Sequence, residues 1–172
     1  MTYDPDILAE GLDVVFCGIN PATTAVAAGH SFSGDSNRFW RVLHRAGFTD
    51  QQLRPEDERQ ILSYGCGITA AVPRATKRGE DISVAEFQRA RPVFEAKMRR
   101  YHPRMIAFLG KRALSAMSGL QKLEWGSQPM AFAGSAAWVL PNPSGRNRGY
   151  SLEDLVEAYG RLHNALHQSP VT

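Results

Sequence analysis

A short apolar run that stops abruptly at a proline is the feature that most restricts the fold of this chain. Residues 13–19 read Asp-Val-Val-Phe-Cys-Gly-Ile and are followed at once by Asn20-Pro21. An apolar run bounded by a turn signal is typical of a strand buried on both faces. Residues 105–109 and 137–140 form two further runs of this kind. Such strands occur in parallel sheets that helices cover on each side.

The segments between these runs show the apolar spacing and the start and stop signals of helices. Helices are predicted over residues 37–46, 55–65, 83–101 (opened by a Ser83–Glu86 capping box, with Pro92 as a break or kink), from 110 onward, and 151–166. Residues 22–36, rich in small side chains, are predicted to form a loop. Strands that alternate with helices predict a single α/β domain of three layers over residues 1–172, with a core from about 11 to 168. Its central sheet is expected to be short and mainly parallel, with helices on both faces.

The composition of the chain argues against several classes of protein, among them membrane proteins and iron–sulfur proteins. The chain has 172 residues, 43% of them hydrophobic, and this is typical of one globular domain. It has no apolar run of roughly 20 residues, and its acidic N-terminus is unlike a signal peptide, so we expect a cytoplasmic or nucleoid-associated protein without a membrane partner. Cys17 and Cys66 are the only cysteines, too few for a four-thiolate cluster. His163 and His167 lack an apparent third ligand, so neither a metal nor a cofactor is predicted.

The positive charges are unevenly distributed along the chain. The net charge is +3, and basic residues crowd one stretch: Arg74, Lys77, Arg78, Arg89, Arg91, Lys97, Arg99, Arg100, Arg104, Lys111 and Arg112. For the helical arginines a solvated face is the simpler interpretation. Arg146 and Arg148 stand instead in a glycine-containing loop after the run at 137–140, where cations are suited to phosphate groups.

Two Asn-Pro turns, Asn20-Pro21 and Asn142-Pro143, follow two of the predicted strands. Because the carboxyl ends of parallel strands share one edge of a sheet, both asparagines are expected to face one crevice, where ligands bind. A single such turn is more often an asparagine that caps its own loop. Phe32, flanked by small residues, is suited either to stacking on a base or to packing on the core. The loop at Ser144–Arg148 either enters a duplex or is an exposed connection.

Five segments in this order resemble the mismatch-specific uracil-DNA glycosylase and thymine-DNA glycosylase family of the uracil-DNA glycosylase superfamily. The resemblance extends from about Gly11 to Leu166. The segments are residues 14–21 (VVFCGINP), 36–40 (SNRFW), 66–69 (CGIT), 138–145 (WVLPNPSG) and 151–159 (SLEDLVEAY).

The resemblance implies a uracil-DNA glycosylase-like fold and a monomeric enzyme without metal or organic cofactor. It implies hydrolytic excision of uracil from mismatched double-stranded DNA, and it leaves open the excision of thymine or of other damaged pyrimidines. G·U is then the preferred pair, and an abasic site remains without a lyase step. Asn20 would orient the attacking water. The base pocket would comprise Gly18, Ile19, Ala25, Phe32, Ser33 and Asn142, and the loop that enters the duplex Ser144, Gly145, Arg146, Asn147 and Arg148.

Three positions depart from the family pattern. Arg146 stands where some relatives have leucine, and Ala25 where bacterial relatives can have serine. Ala70 stands where relatives place a polar helper beside the active site. Alanine neither assists a water nor contacts phosphate, so a catalytically silent protein that recognises lesions stays open as an alternative. A hydrolase of free nucleotides or nucleosides is a third, which the arginines of the loop disfavour.

Overall fold

The computed structural model describes residues 3–168, and the ends of the predicted domain, residues 1, 2 and 169–172, lie outside them. Five strands form one sheet: β1 Val14–Gly18, β2 Cys66–Ala70, β3 Met105–Leu109, β4 Gly126–Phe132 and β5 Ser135–Leu140. Their order across the sheet is β2-β1-β3-β5-β4. The first four strands in that order are mutually parallel, and β4 at the edge is antiparallel to β5. The predicted α/β domain with a mainly parallel sheet is confirmed.

Five α-helices are described: α1 Thr23–Ala28, α2 Phe39–Arg45, α3 Val84–Tyr101, α4 Arg112–Ser118 and α5 Leu152–His167. Residues Pro55–Tyr64 form a 3-10 helix with a kink at Asp57 where the sequence predicts a regular helix, and Gly79–Asp81 form a second 3-10 turn. No helix of the described residues is long and apolar enough to cross a membrane.

The side chains of the strands alternate between two hydrophobic clusters, one on each face of the sheet. Phe16 belongs to the cluster beneath α2 and α5, where it meets the rings of Phe39 and Phe48 edge to face, each at 5.4 Å. Cys17, the next residue, belongs to the cluster beneath α3 and α4. Because helices cover both of their faces, β1, β3 and β5 lack the alternation of polar and apolar residues and appear in the sequence as continuous apolar runs.

Two local predictions about helix α3 are only partly met. Pro92 lies inside α3 without ending it, so of the two predicted effects of this proline, a break or a kink, the break is wrong. At the start of this helix Ser83 Oγ accepts a hydrogen bond from Glu86 N at 3.2 Å, but the Glu86 carboxylate binds Arg74, so only half of the predicted capping box forms. Helix α5 has the complete box, because Ser151 and Asp154 each accept from the other's backbone N–H.

Several basic side chains between residues 74 and 112 make ion pairs or hydrogen bonds within the protein. Arg74 is paired with Glu86 at 2.9 Å and Lys97 with Asp6 at 2.8 Å, and Arg112 donates to the backbone oxygen of Gly79 at 2.8 Å. These contacts within the protein are neither the solvated face expected for the helical arginines nor contacts to phosphate. The basic side chains are weaker support for a polyanionic partner than their number suggests.

Gly67 in β2 lies where the sheet packs tightly against the N-terminal segment, and a substitution there tests this packing. A Cβ atom there would lie 2.6 Å from the backbone oxygen of Ile7 and 2.7 Å from Leu12 Cδ1. We expect Gly67→Ala to lower the free energy of unfolding by about 1–3 kcal/mol, measured by urea denaturation, because a rigid backbone atom must shift. The matched control is Gly160→Ala in α5, where a Cβ meets nothing within 4 Å. There the same methyl should stabilise the helix by about 0.5–1 kcal/mol, and equal effects at both positions would contradict this packing.

Candidate active site

A cleft of about 610 Å³ opens at the carboxyl edge of the sheet. Its lining includes Gly18, Ala70 and Leu109, each from the end of a parallel strand, and Asn142, which follows the end of β5. The predicted site residues that line it are Gly18, Ile19, Asn20, Ala25, Phe32, Ala70, Asn142, Ser144, Arg146 and Asn147. Both Asn-Pro turns therefore face a single crevice, as the sequence predicts.

The Asn20 side chain is held in one orientation. Its Nδ2 donates to the backbone oxygen of Arg74 and to Thr76 Oγ1, each at 2.7 Å. The Thr76 hydroxyl in turn donates to the backbone oxygen of Arg78 at 2.6 Å, so it can only accept from Asn20. Since both amide hydrogens are engaged, Oδ1 is left as a hydrogen-bond acceptor for a group in the cleft.

The segment that holds Asn20 is itself tied to the exit of β1. Ala71 N donates to the oxygen of Gly18 and Val72 N to that of Ile19, each at 2.9 Å. Further along, Thr76 N donates to the oxygen of Pro21 at 3.2 Å. These bonds continue the pairing of β1 and β2 beyond the sheet, so the partners of Asn20 are fixed to the same framework as Asn20.

Phe32 forms an aromatic wall of the cleft. Its ring is stacked on that of Phe39, with centroids 4.0 Å apart and planes 23° from parallel. Phe32 also lines the cleft. The two interpretations of Phe32 from the sequence are thus compatible, because one face of the ring packs on the core and the residue still borders the crevice.

The backbone of Phe32 is in the left-handed region, with φ 53°, an unusual conformation for a bulky residue. The preceding residue, Ser31, is held by three groups. Its N–H donates to Glu58 at 2.5 Å, its oxygen accepts from Trp40 Nε1 at 3.1 Å, and its hydroxyl lies 2.8 Å from the Tyr3 hydroxyl. These contacts hold the unusual backbone in place. Burial raises the pKa of Tyr3, which keeps this phenol neutral.

Asn142 begins the loop of residues 144–148, called here the insertion loop. Asn142 Oδ1 accepts from Ser144 N at 2.9 Å, and this leaves the two amide hydrogens of Asn142 for a ligand. Ser144 Oγ accepts from Arg146 N at 3.2 Å, and Asn147 Nδ2 donates to the oxygen of Asn142 at 3.0 Å. The loop is therefore a compact turn and not a loose connection.

Three residues assigned to the site from the sequence do not line the cleft. The Ser33 hydroxyl donates to the backbone oxygen of Thr24 at 3.3 Å, so its side chain is directed toward α1. Gly145 packs against Ser36. Arg148 is exposed at the end of the insertion loop, and its backbone N–H donates to the oxygen of Arg146.

Ala70 ends β2 opposite Gly18 and is 8% exposed. The structure places Ala70 in the lining of the cleft, where it contributes only a methyl group. Its neighbour Thr69 does not take over, because Thr69 Oγ1 donates to Asp6 Oδ1 at 2.7 Å.

Four cationic side chains and one carboxylate line the cleft, which makes it electropositive. They are Lys77, Arg78, Arg112, Arg146 and Glu80. Arg146 was expected from the sequence. Lys77, Arg78 and Thr76 were not assigned to the site, because only the long-range pairing of their segment with the exit of β1 brings them there.

Cysteine and metal chemistry find no support in the site. Burial raises the pKa of the Cys17 thiol and raises that of Cys66 to about 12, so neither supplies a thiolate near neutral pH. Among residues 3–168 no three His, Cys, Asp or Glu side chains come together to form a metal site. His163 packs edge-on against Phe48 at 5.0 Å, and burial lowers its pKa.

Two comparisons with known proteins bear on the family and the fold of the chain. The family model described as the uracil DNA glycosylase superfamily matches residues 5–163. The chain is similar to a candidate uracil DNA glycosylase from Methanosarcina acetivorans, known from a solution NMR structure, with 21% sequence identity and a TM-score of 0.61. The match covers 93% of this chain and 96% of that one. At this identity the likeness shows a shared fold.

Proposed function

The chain belongs to the uracil DNA glycosylase superfamily, and from this premise we propose that it is a DNA-repair enzyme that excises uracil from DNA. The observation that carries the proposal is the fixed amide of Asn20, whose Oδ1 remains an acceptor at the end of β1. An acceptor in this place suits a water molecule that must be aimed at one atom of a bound nucleotide. Family membership supports uracil in DNA as the substrate, and the cleft contains an acceptor that could position a water molecule.

The reaction breaks the bond between C1′ of deoxyribose and N1 of uracil. We propose that the Asn20 Oδ1 accepts a hydrogen bond from the attacking water, whose oxygen bonds to C1′ while the electron pair of the broken bond leaves with the base. An amide does not take the proton of the water, which passes to solvent. Catalysis then depends on positioning and on stabilising the departing anion. The amide hydrogens of Asn142 are donors suited to a uracil oxygen.

The pocket suits a single flipped pyrimidine. The ring of Phe32 offers a stacking surface, and Ala25 adds a small apolar contact. The free volume of about 610 Å³ lies in the usual range for a small-molecule site and leaves room for the sugar and its phosphates. Lys77, Arg78 and Arg146 line the same opening, where cations attract the DNA backbone.

Mismatched duplex DNA is the substrate that we propose, recognised by a monomer of this chain. Flipping a base out of the stack costs a few kcal/mol and costs least at a mismatch, which favours G·U over A·U. The insertion loop, with Arg146 exposed on it, would fill the gap left by the base. The products would be free uracil and an abasic site, with no strand cleavage.

Ala70 favours one competing function. Without a polar side chain at the end of β2, a protein that recognises lesions and leaves them intact would have the same cleft and the same cations. Such a protein would bind a G·U duplex and release no base. The distinction therefore rests on product formation, since binding is common to both.

We expect the wild-type chain to release uracil from a G·U duplex about tenfold or more faster than from the matched A·U duplex, because the mismatch lowers the cost of flipping. Single-turnover release on the two duplexes measures this preference. A duplex with uracil in a small unpaired bubble is the control, since it removes the pairing cost for both contexts. Equal rates on G·U and A·U would contradict the proposed preference, though not uracil excision itself.

The same reactions test the absence of a lyase step. Lys77 contributes an amine to the lining of the cleft, and a lyase would join such an amine to the abasic sugar. We expect no strand cleavage before alkali treatment and no covalent complex after borohydride reduction. Trapping of the chain on DNA would show a bifunctional enzyme and would point to Lys77.

A further inference from the structure

A single arginine from helix α2's N-terminal flank binds the backbone around the insertion loop. Arg38 Nε donates to the oxygen of Pro143 at 3.3 Å, and Nη1 donates to that of Tyr150 at 2.6 Å. Arg38 Nη2 donates to the oxygens of Ser144 and Asn147, at 2.9 and 3.1 Å. One half-buried guanidinium thus gathers four carbonyl groups spread over eight residues of the chain.

The segment that carries Arg38 touches the loop at two more places. The backbone N–H of Arg38 donates to the oxygen of Pro143 at 3.1 Å. The backbone of Gly145 lies so close to Ser36 that a Cβ on Gly145 would come within 2.5 Å of the Ser36 Cβ. The insertion loop therefore rests on residues 36–38, which lead directly into α2, a helix whose residues Phe39, Trp40, Val42 and Leu43 are buried in the core.

The chemistry of these contacts requires arginine. A planar guanidinium presents five N–H donors in a fixed fork, whereas an ammonium group is a compact charge on a flexible stem. Hydrogen bonds from a charged donor are also stronger than neutral ones. A lysine at position 38 keeps the charge but reaches only part of the four carbonyls.

We propose that Arg38 is a positioning residue that holds the insertion loop in the shape needed to enter a DNA duplex. This inference rests on the proposed function of that loop. The guanidinium of Arg38 donates to backbone oxygens within the loop and just outside each of its ends, so Arg38 acts through the loop, without touching the base. A loop shaped in advance loses less conformational freedom when it enters the base stack, and this lowers the cost of flipping.

Arg38→Lys and Arg38→Met test the proposal, with Arg41→Met as the matched control, since Arg41 is exposed on the same helix. We expect both Arg38 variants to unfold cooperatively and to release uracil from the G·U duplex about tenfold or more slowly, because charge-assisted hydrogen bonds contribute on this scale. On a duplex with uracil in an unpaired bubble the deficit should shrink to about threefold or less, since little flipping remains to be done. Arg41→Met should match the wild type on both substrates.

A second readout does not depend on activity. Amide hydrogens of residues 144–148 should exchange about tenfold or more faster in the Arg38 variants of the free protein, while those of β1 keep their protection. If the wild type releases no uracil, the proposed function fails, and this exchange still tests the hold of Arg38 on the loop. Unchanged exchange with activity within twofold of the wild type would overturn the proposal. So would an equal deficit on both substrates, or loss of cooperative unfolding in both variants, because each assigns Arg38 a general structural role.

Discussion

Replacing Asn20 with alanine is expected to lower the rate of uracil release by about 100-fold or more, because the attacking water loses the group that aims it. Duplex affinity should stay within about threefold, since the phosphate contacts that dominate binding come from other residues. Asn20 Nδ2 is already occupied by Arg74 and Thr76, so Oδ1 is the part of the side chain available to substrate. Single-turnover release and fluorescence anisotropy on the same G·U duplex measure the two quantities.

Asn164→Ala is the matched control for this experiment, because Asn164 is an exposed asparagine on α5. It should leave both release and affinity unchanged. An Asn20→Ala variant that keeps at least half of the wild-type rate would show that water is positioned by another group. A parallel loss of duplex affinity would instead assign Asn20 a role in binding.

The second large effect is expected from one methyl group in the insertion loop. A Cβ on Gly145 would lie 2.5 Å from Ser36 Cβ, 2.6 Å from its Oγ and 2.7 Å from its backbone oxygen. The backbone oxygen cannot rotate away, so Gly145→Ala must displace the loop itself. We expect about a 10- to 100-fold loss of uracil release from a G·U duplex, because small displacements of a positioned group have effects of this size.

Gly149→Ala adds the same methyl group four residues later, where the nearest atom is Asn147 Oδ1 at 3.8 Å. This variant should keep the wild-type rate within about twofold, since that distance is ordinary van der Waals contact. Urea unfolding of both variants separates a displaced loop from a damaged core. Equal activity of the two variants would contradict the close approach of the insertion loop to Ser36.

The parts of the fold that the sequence predicts well are those determined by burial. The strands at β1, β3 and β5 are continuous apolar runs because helices cover both of their faces, and β3 was predicted with its observed bounds. Helix α5 has a complete apolar stripe and a capping box. In each of these elements local pattern and tertiary environment agree.

The elements not predicted as observed have weak local signals. Strand β2, with sequence CGITA, contains a glycine and small side chains, so its local strand signal is weak without its neighbour β1. Strand β4 is exposed along most of its length and contains Pro129, which is tolerated because β4 is an edge strand. Helix α1 has only six residues, and tertiary contacts stabilise it where propensity alone does not.

The candidate site also has a part that the sequence predicts and a part that it does not. Asn20 and Asn142 follow buried strands, so their shared crevice is predictable from the order of strands and turns. The residues that hold Asn20 and the segment after Asn142 in place are not predictable from the sequence. Thr76 bonds to a residue 56 positions away and Arg38 to residues more than 100 positions away, and no local pattern carries such information. Ser33 was assigned to the pocket from the resemblance alone, and its hydroxyl bonds to the backbone of Thr24, nine positions away.

Release of free uracil is the measurement that tests the central claim most directly. A G·U duplex is incubated with the wild-type chain and, separately, with Ala70→Asn, each in the presence of EDTA, and free base is quantified by chromatography. We expect uracil from the wild type and an equal or faster yield from Ala70→Asn, which restores a polar group at the end of β2. No uracil from either protein, with both folded and both bound to the duplex, would contradict the assignment of this cleft as a glycosylase active site.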